Sequence, residues 1–394
     1  MTPVPVLLMV REPGLGGSER QLTEIARTLD TRRFAPHVGC FRGEGLRAVE
    51  LRAAGVPVTV FPVRSLFHPS TFGAARELGR YLHRNGIRLV HAFDVPSNLF
   101  AVPVARAFGT PVVLASQRAY RDLTPGIHRR LLRLTDQIAD GIVVNCEAMR
   151  LHLIEDEGVP RSRIQMCPNG IDTKIFFARE RAPRAQAVIG VVCALRPEKG
   201  VGTLLRAFAL VRGRFDHVRL RIVGEGPERR HLESLAAELG LGETCRFEPA
   251  TDRVAERLED VDIFVLPSFS EALSNSLMEA MACGCAVVAS HTGGNVELAV
   301  PEETGLLFEP GNANDLAVQI SRLLENPPLL TRLGANAARR IREEYSLERA
   351  TARMAAIYEG YLGNSCGPRA GAASGRDAGV TSAAGCLSSS TPDR

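Results

Sequence analysis

The sequence predicts an α/β protein made of two doubly wound domains that face each other across a cleft. Three observations lead there. The chain has 394 residues, more than one ordinary core organises and enough for two. Short continuous apolar runs alternate with longer segments of helical period, the pattern of parallel strands covered on both faces. That alternation breaks once, over residues 169–186, and then restarts.

Taken in order, "VPVLLMV" (4–10), "HVGCF" (37–41), "PVTVF" (57–61), "IRLVHAF" (87–93), "PVVLAS" (111–116) and "GIVVN" (141–145) read as strands. Amphipathic segments such as "SERQLTEIARTLD" and "FGAARELGRYLHRNG" lie between them and read as helices. Strand–helix alternation of this kind gives a Rossmann-like domain over residues 1–175. The charged, proline-containing stretch "NGIDTKIFFARERAPRAQ" is the linker. A second Rossmann-like domain, 186–345, follows with "AVIGVVCAL", "VRLRIVG", "CRFEP", "VDIFVLPS", "CAVVAS" and "GLLFEP". The helical segment "SLERATARMAAIYEGYL" (346–362) has no strand after it. Residues 363–394 are rich in Gly, Ala and Ser, with Val380 and Leu387 as their only larger aliphatics. Such a composition predicts a disordered tail.

Composition narrows the function classes. Hydrophobic content of 45% with 23% charged residues suits a soluble globular chain. A net charge of +4, from 48 Lys+Arg against 44 Asp+Glu, with no dense basic run, argues against a nucleic-acid partner. The nine cysteines include no C-x-x-C pair, so they read as free thiols of a reducing compartment. No stretch approaches the roughly 20 apolar residues of a membrane span. A cytoplasmic protein is expected. The segment "GIHRRLLRLTDQI" (126–138) sets Arg129, Arg130 and Arg133 beside leucines. It reads first as an ordinary surface helix, with peripheral contact to the inner membrane as the alternative.

In doubly wound folds, ligands bind beyond the carboxyl ends of the strands. Four loops there hold candidates. "GLGGSERQ" follows the first strand, with Gly14, Gly16 and Gly17 ahead of a helix for which Ser18 is the expected N-cap. It lacks the G-x-G-x-x-G spacing, which argues against a nicotinamide site. "ALRPEKG" places Arg196 and Lys199, two cations suited to a diphosphate, and also Glu198, which offers a simple surface pairing instead. In "VGEGPER", Gly224 and Gly226 allow a turn, and a nucleotide contact at Gly224 stays open. "SFSEALSNSLMEAMAC" puts Glu271 in a loop and Glu279 in the helix after it, with the amides of Leu273, Ser274, Asn275 and Ser276 around the helix start. "SLME" has the form of a capping box with Ser276 as N-cap, which accounts for Glu279 without any ligand. No such reading accounts for Glu271. A carboxylate beside an anion-binding helix start suits a ligand that carries both phosphates and hydroxyls.

"SEALSNSLMEAMACGCAVVAS" (270–290) resembles the E-x7-E signature of the family 4 retaining glycosyltransferases, which have the GT-B fold. The segments "GLGGSER", "VVNCEAMR", "CPNGID", "RPEKG", "VGEGP", "VLPS", "GGNVEL" and "ETGLLFEPGN" agree in order, so the resemblance runs over about residues 3–362. It implies a hexosyl transferase that takes a UDP- or GDP-sugar, needs no metal or other cofactor, and acts on a glycan or lipid-linked acceptor. The first domain would be the acceptor side and the second the donor side, with helix 346–362 crossing back to the first. Glu271 matches the carboxylate that meets the donor sugar, beside the amides of Leu273 and Ser274, and Glu279 the one that holds the ribose. Lys199 matches the diphosphate lysine. Gly16 and Gly17 match the glycine loop near the donor phosphates or acceptor. His91 in "VHAFD" matches a common site position.

Two departures stand out. Ala194 occupies the place of the family's usual arginine, so Arg196 is the candidate to reach the phosphates instead. Gln117 and Arg118 stand where many members carry a histidine, and Arg118 is placed to meet a phosphate or an acceptor. A GT-B nucleotide-sugar epimerase or hydrolase, and a nucleotide-binding module without turnover, remain as alternatives. Asp260 and Asp262 read as turn residues and not as a metal-binding D-x-D. Cys283 and Cys285 read as small residues of a helix-to-strand turn.

Overall fold

The computed structural model describes residues 2–179 and 186–364. From residue 365 on, the tail predicted above lies outside the described residues, as do linker residues 180–185. The first sheet holds β1 (Val4–Val10), β2 (Phe34–Cys40), β3 (Val58–Val60), β4 (Leu89–Ala92), β5 (Val112–Gln117), β6 (Gly141–Val144) and β7 (Ile164–Met166). The second holds β8 (Ala187–Val192), β9 (Val218–Val223), β10 (Cys245–Glu248), β11 (Ile263–Leu266), β12 (Ala286–Ser290) and β13 (Leu306–Phe308). Helices α1 (Gly17–Thr28), α2 (Leu46–Ala53), α3 (Ser70–Arg84), α4 (Val95–Ala107), α5 (Gly126–Ile138) and α6 (Glu147–Glu155) belong to the first half of the chain. The second half has α7 (Val201–Arg212), α8 (Arg229–Glu238), α9 (Val254–Leu258), α10 (Asn275–Ala282), α11 (Asn295–Leu298), α12 (Ala313–Glu325), α13 (Pro327–Glu344) and α14 (Leu347–Asn364).

The sheet orders are β3-β2-β1-β4-β5-β6-β7 and β10-β9-β8-β11-β12-β13, and every pairing is parallel. Both orders reverse beside their first strand. The switch points, where a crevice opens, therefore lie between β1 and β4 and between β8 and β11. β7 is one strand more than the sequence pattern predicts. It is a three-residue edge strand, "IQM", with Gln165 at its centre, too short to print a period.

Central strands such as "VLLMV" of β1 are buried on both faces, which is why they read as unbroken apolar runs. One core packs on each face of the first sheet, with Leu8 and Leu89 on one side and Leu7 and Val90 on the other. The second sheet has its own core around Ile189, Phe208 and Val265. A further cluster joins Val144 and Met149 to Leu273, Leu277 and Met278, so the domains share apolar contact as well as a chain. α14 leaves the second domain and buries Met354, Ala355 and Tyr358 in the first domain's core. The two chain crossings touch: Ile171 N–H donates to Tyr345 O and Leu347 N–H to Ile171 O, both at 2.9 Å.

On α5, Arg129 and Arg133 each donate through Nε to Glu157 at 2.7 Å, while Arg130 stays exposed. Two of the three arginines read as a basic face are thus engaged within the molecule. Among the described residues no helix is long and apolar enough to cross a membrane.

Candidate functional site

The second domain's crevice is built first by strand ends. The loop after β8 tightens into a turn over Pro197–Lys199, and the loop after β11 carries Glu271. Phe269 N–H donates to Glu198 O at 2.8 Å, which locks the two loops together. Lys199 Nζ then meets Glu271 Oε2 at 2.6 Å, with 22% and 11% of the side chains exposed. α10 starts directly behind this pair. Its N-cap is Ser274, whose hydroxyl accepts from Leu277 N–H at 3.3 Å, and not Ser276 as the S-x-x-E pattern suggested. The helix begins two residues earlier than expected, so Glu279 is one turn inside it and takes no part in a capping box. The N–H groups of Asn275 and Ser276, with no helical carbonyl behind them, project from the helix start.

Glu279 is buried, and its carboxylate pairs with Arg20 Nη1 of α1 in the other domain. Burial raises its pKa, with Arg20 opposing the shift. Arg20 in turn lies over the Phe176 ring, 5.1 Å from its centroid.

The first domain's crevice lies opposite. α1 begins at Gly17 with Gly16 as N-cap, so the expected cap at Ser18 is corrected: Ser18 is already helical. Gly17 closely faces α10, and a Cβ there would sit 3.1 Å from Asn275 Nδ2. Asn275 Nδ2 donates to Gly17 O at 3.3 Å, and its Oδ1 accepts from Gln21 at 3.2 Å and from Asn169 Nδ2 at 2.8 Å. Asn169 Nδ2 also donates to Leu273 O at 3.0 Å, and its Oδ1 accepts from Arg118 Nη1 at 2.8 Å. Farther along the cleft, Glu297 accepts from the N–H groups of Glu147 and Ala148 at 3.1 and 3.0 Å, capping α6 from the opposite domain.

Several expectations need correction or placing. His91 does not reach the cleft. Its ring is fully buried, with Nδ1 on the Tyr358 hydroxyl and Nε2 on Ser116 Oγ, both at 2.8 Å. Burial holds its pKa well below the ordinary histidine value. It is a neutral core histidine, sealed in by α14, and the catalytic role expected for it is withdrawn. Arg196 is not brought to Lys199. Its side chain is 62% exposed, and its ion-pair partner is Glu198 at 3.9 Å. Gly224 has φ +154°, and a Cβ there would fall 1.9 Å from Cys193 O. Close packing of the loops after β8 and β9 thus requires that glycine whether or not a ligand binds. Asp262 accepts from Val188 N–H at 2.8 Å, a strand-start tie. Among the described residues no group of three or more His, Cys, Asp or Glu could hold a metal ion.

Arg20, Gln21 and Asn169 were missed as site residues. Gln21 and Asn169 are almost fully buried and Arg20 is mostly so, and all three stand in segments singled out only for glycines or order. Four polar residues in a row, 18–21, after "GG" on an otherwise amphipathic helix were the available signal for Arg20 and Gln21.

Comparison with known proteins decides the family. Residues 172–340 match the model of glycosyl transferases group 1, and residues 15–175 that of glycosyltransferase family 4. The chain belongs to the family 4 glycosyltransferases. An MMP α-(1→4)-mannosyltransferase of Mycolicibacterium hassiacum is 33% identical over 58% of this chain and 55% of its own length. The chain thus spans about half the length of that relative. An N-acetyl-α-D-glucosaminyl L-malate synthase of Bacillus anthracis is 24% identical over 74% of this chain and 80% of its own. The crystal structure of Anabaena HepE with UDP and glucose superposes with TM-score 0.81 at 20% identity, covering 90% of this chain and 99% of that one. The fold is GT-B, and the two crevices described are the facing walls of the cleft in this glycosyltransferase-family chain.

Proposed function

We propose that this chain is a retaining glycosyltransferase that moves a hexosyl group from a UDP- or GDP-sugar to an acceptor hydroxyl, in the assembly of an envelope polysaccharide or lipid-linked glycan. The observation that carries the reading is the Lys199–Glu271 pair at the β8/β11 switch point, set against the open N–H groups of α10. A cation and a helix start suit a leaving diphosphate. Glu271, held by Lys199, suits the hydroxyls of the transferred sugar, and Glu279, buried behind it, suits the ribose.

Departure of the diphosphate leaves an oxocarbenium-like sugar. Lys199 and the α10 N–H groups stabilise the charge that develops on the leaving oxygen. The acceptor hydroxyl attacks from the same face and passes its proton to the departing phosphate. Glu271 acts in this scheme as a hydrogen-bond acceptor and not as a nucleophile. A glycosyl adduct trapped on Glu271 would refute that assignment.

The test is thermal stability with UDP, GDP and ADP, each with and without EDTA. The matching nucleotide at about 100 times its dissociation constant adds roughly 2.7 kcal/mol, unaffected by EDTA. Glu271→Ala keeps that shift and loses about a hundred- to thousandfold in turnover. Absence of a shift with all three nucleotides overturns the reading. Release of nucleoside diphosphate at an equal rate with and without acceptor turns it into a hydrolase.

A further inference from the structure

The residue after β5 carries a charge that the molecule leaves unanswered. Arg118 gives Nη1 to Asn169, its guanidinium lies 5.0 Å from the Phe93 ring centroid, and its buried Nε makes no hydrogen bond. No carboxylate pairs with it among the described residues. The ionisable groups that face it are the neutral His91 and three weak acids, Cys167, Tyr358 and Cys146. Burial raises all three, Cys167 to about 11, Cys146 to about 12 and Tyr358 well above its ordinary value, so none supplies a negative charge near pH 7. Arg121, three residues on and fully buried, is different: it meets Asp136 at 2.7 Å and Glu157 at 3.6 Å. Arg118 is half-buried with its Nε out of water, and a partly desolvated guanidinium without a counter-charge carries a cost that a bound anion reduces.

We infer that Arg118 is an anion-recognition residue of the acceptor site, and that the acceptor carries a phosphate or carboxylate near the hydroxyl it presents. This rests on the glycosyl-transfer reading above. The planar guanidinium, stacked on Phe93 and steadied by Asn169, suits two-point binding of either group. Position assigns it to the acceptor. The donor diphosphate has Lys199 and the α10 start on the second domain's wall, whereas Arg118 stands on the first. Asn169 bonds Arg118 on one side and Leu273 O and the Asn275 side chain on the other. Arg118 is therefore adjacent to the donor loop without being part of it.

The test compares the full chain with Arg118→Gln and Arg118→Lys. The nucleoside diphosphate shift is read first. Failure of the unaltered chain at that stage sinks the transfer reading itself. An unchanged shift in Arg118→Gln establishes that the variant is folded and its donor site intact. With the nucleotide saturating, binding of glycerol 3-phosphate, orthophosphate and succinate is then measured against glycerol at constant ionic strength. The unaltered chain binds an anion and not glycerol, Arg118→Gln weakens that binding at least tenfold, and Arg118→Lys falls between. Preference for the phosphates or for succinate tells the two acceptor classes apart. Equal anion binding by Arg118→Gln, or none by the unaltered chain, overturns the inference. Loss of the nucleotide shift in Arg118→Gln with anion binding retained also overturns it, and moves Arg118 to the donor diphosphate.

Discussion

The two sheets repeat one strand order, yet their crevices are furnished differently. Beside β8 and β11, a lysine and a glutamate pair openly at the cleft and a helix start faces them. Beside β1 and β4, the strand-end histidine is turned inward, Arg11 and Asp94 face each other at the strand ends, Arg20 is spent on Glu279, and Arg118 pairs with no carboxylate among the described residues. Topology fixes where a ligand can lie, and only the side chains at the strand ends decide which ligand. One wall offers a carboxylate, an ammonium and amides in one spot, a set for a sugar and its diphosphate. The other offers a guanidinium that no carboxylate among the described residues answers.

The division between walls can be attacked at three points. The largest effect is expected at Arg20, the residue by which the first wall reaches into the second. Arg20→Ala leaves Glu279 buried without its cation and costs about 3–5 kcal/mol in urea unfolding. Adding Glu279→Gln to that variant recovers most of the loss. If the double variant is no more stable than Arg20→Ala, the pair does not couple the walls. A smaller effect tests whether the first wall's histidine is structural. Its folded pKa lies below its unfolded one, so the unfolded chain binds the extra proton as pH falls. Stability is then complete above the ordinary histidine range and declines below it, by about 1.4 kcal/mol between roughly pH 7.5 and 5.5. His91→Gln removes that pH-dependent part, and a transferase with an otherwise unchanged pH–rate profile excludes His91 from the chemistry. The smallest effect belongs to the second wall. Ser274→Ala removes the α10 cap and costs about 1 kcal/mol, with a weaker nucleotide shift because the helix start frays. Ser276→Ala leaves stability unchanged if the cap is where the structure places it.

Much of this was legible beforehand, for stated reasons. Central strands announced themselves because burial on both faces leaves no polar position in "VLLMV" or "IFVL". Glu271 was visible as a carboxylate with no local explanation, and Lys199 through its place after a strand. What escaped was whatever depends on distant partners. His91 is sealed by Tyr358, 267 residues away, and no local pattern records that. Ser274 and Ser276 are both credible caps, and tertiary packing of Leu277 and Met278 sets the register between them. Asn169 looked like linker punctuation, although its amide joins Arg118, Leu273 and Asn275. Arg196, strong by position, is left in solvent by its turn.

The path of α14 bears on how the molecule is made. Met354, Ala355 and Tyr358 complete a core whose other members, such as Leu8, Phe34 and Leu89, come from the start of the chain. During synthesis the first domain therefore emerges with part of one face of its sheet uncovered beside α1, and it stays so until the whole second domain has been translated. The second domain, uninterrupted in sequence, can close its core around Ile189, Phe208 and Val265 earlier. The domain that begins the chain is the last to be finished, and a ribosome that stalls short of residue 347 leaves the part of that face meant for α14 open to chaperones and to aggregation.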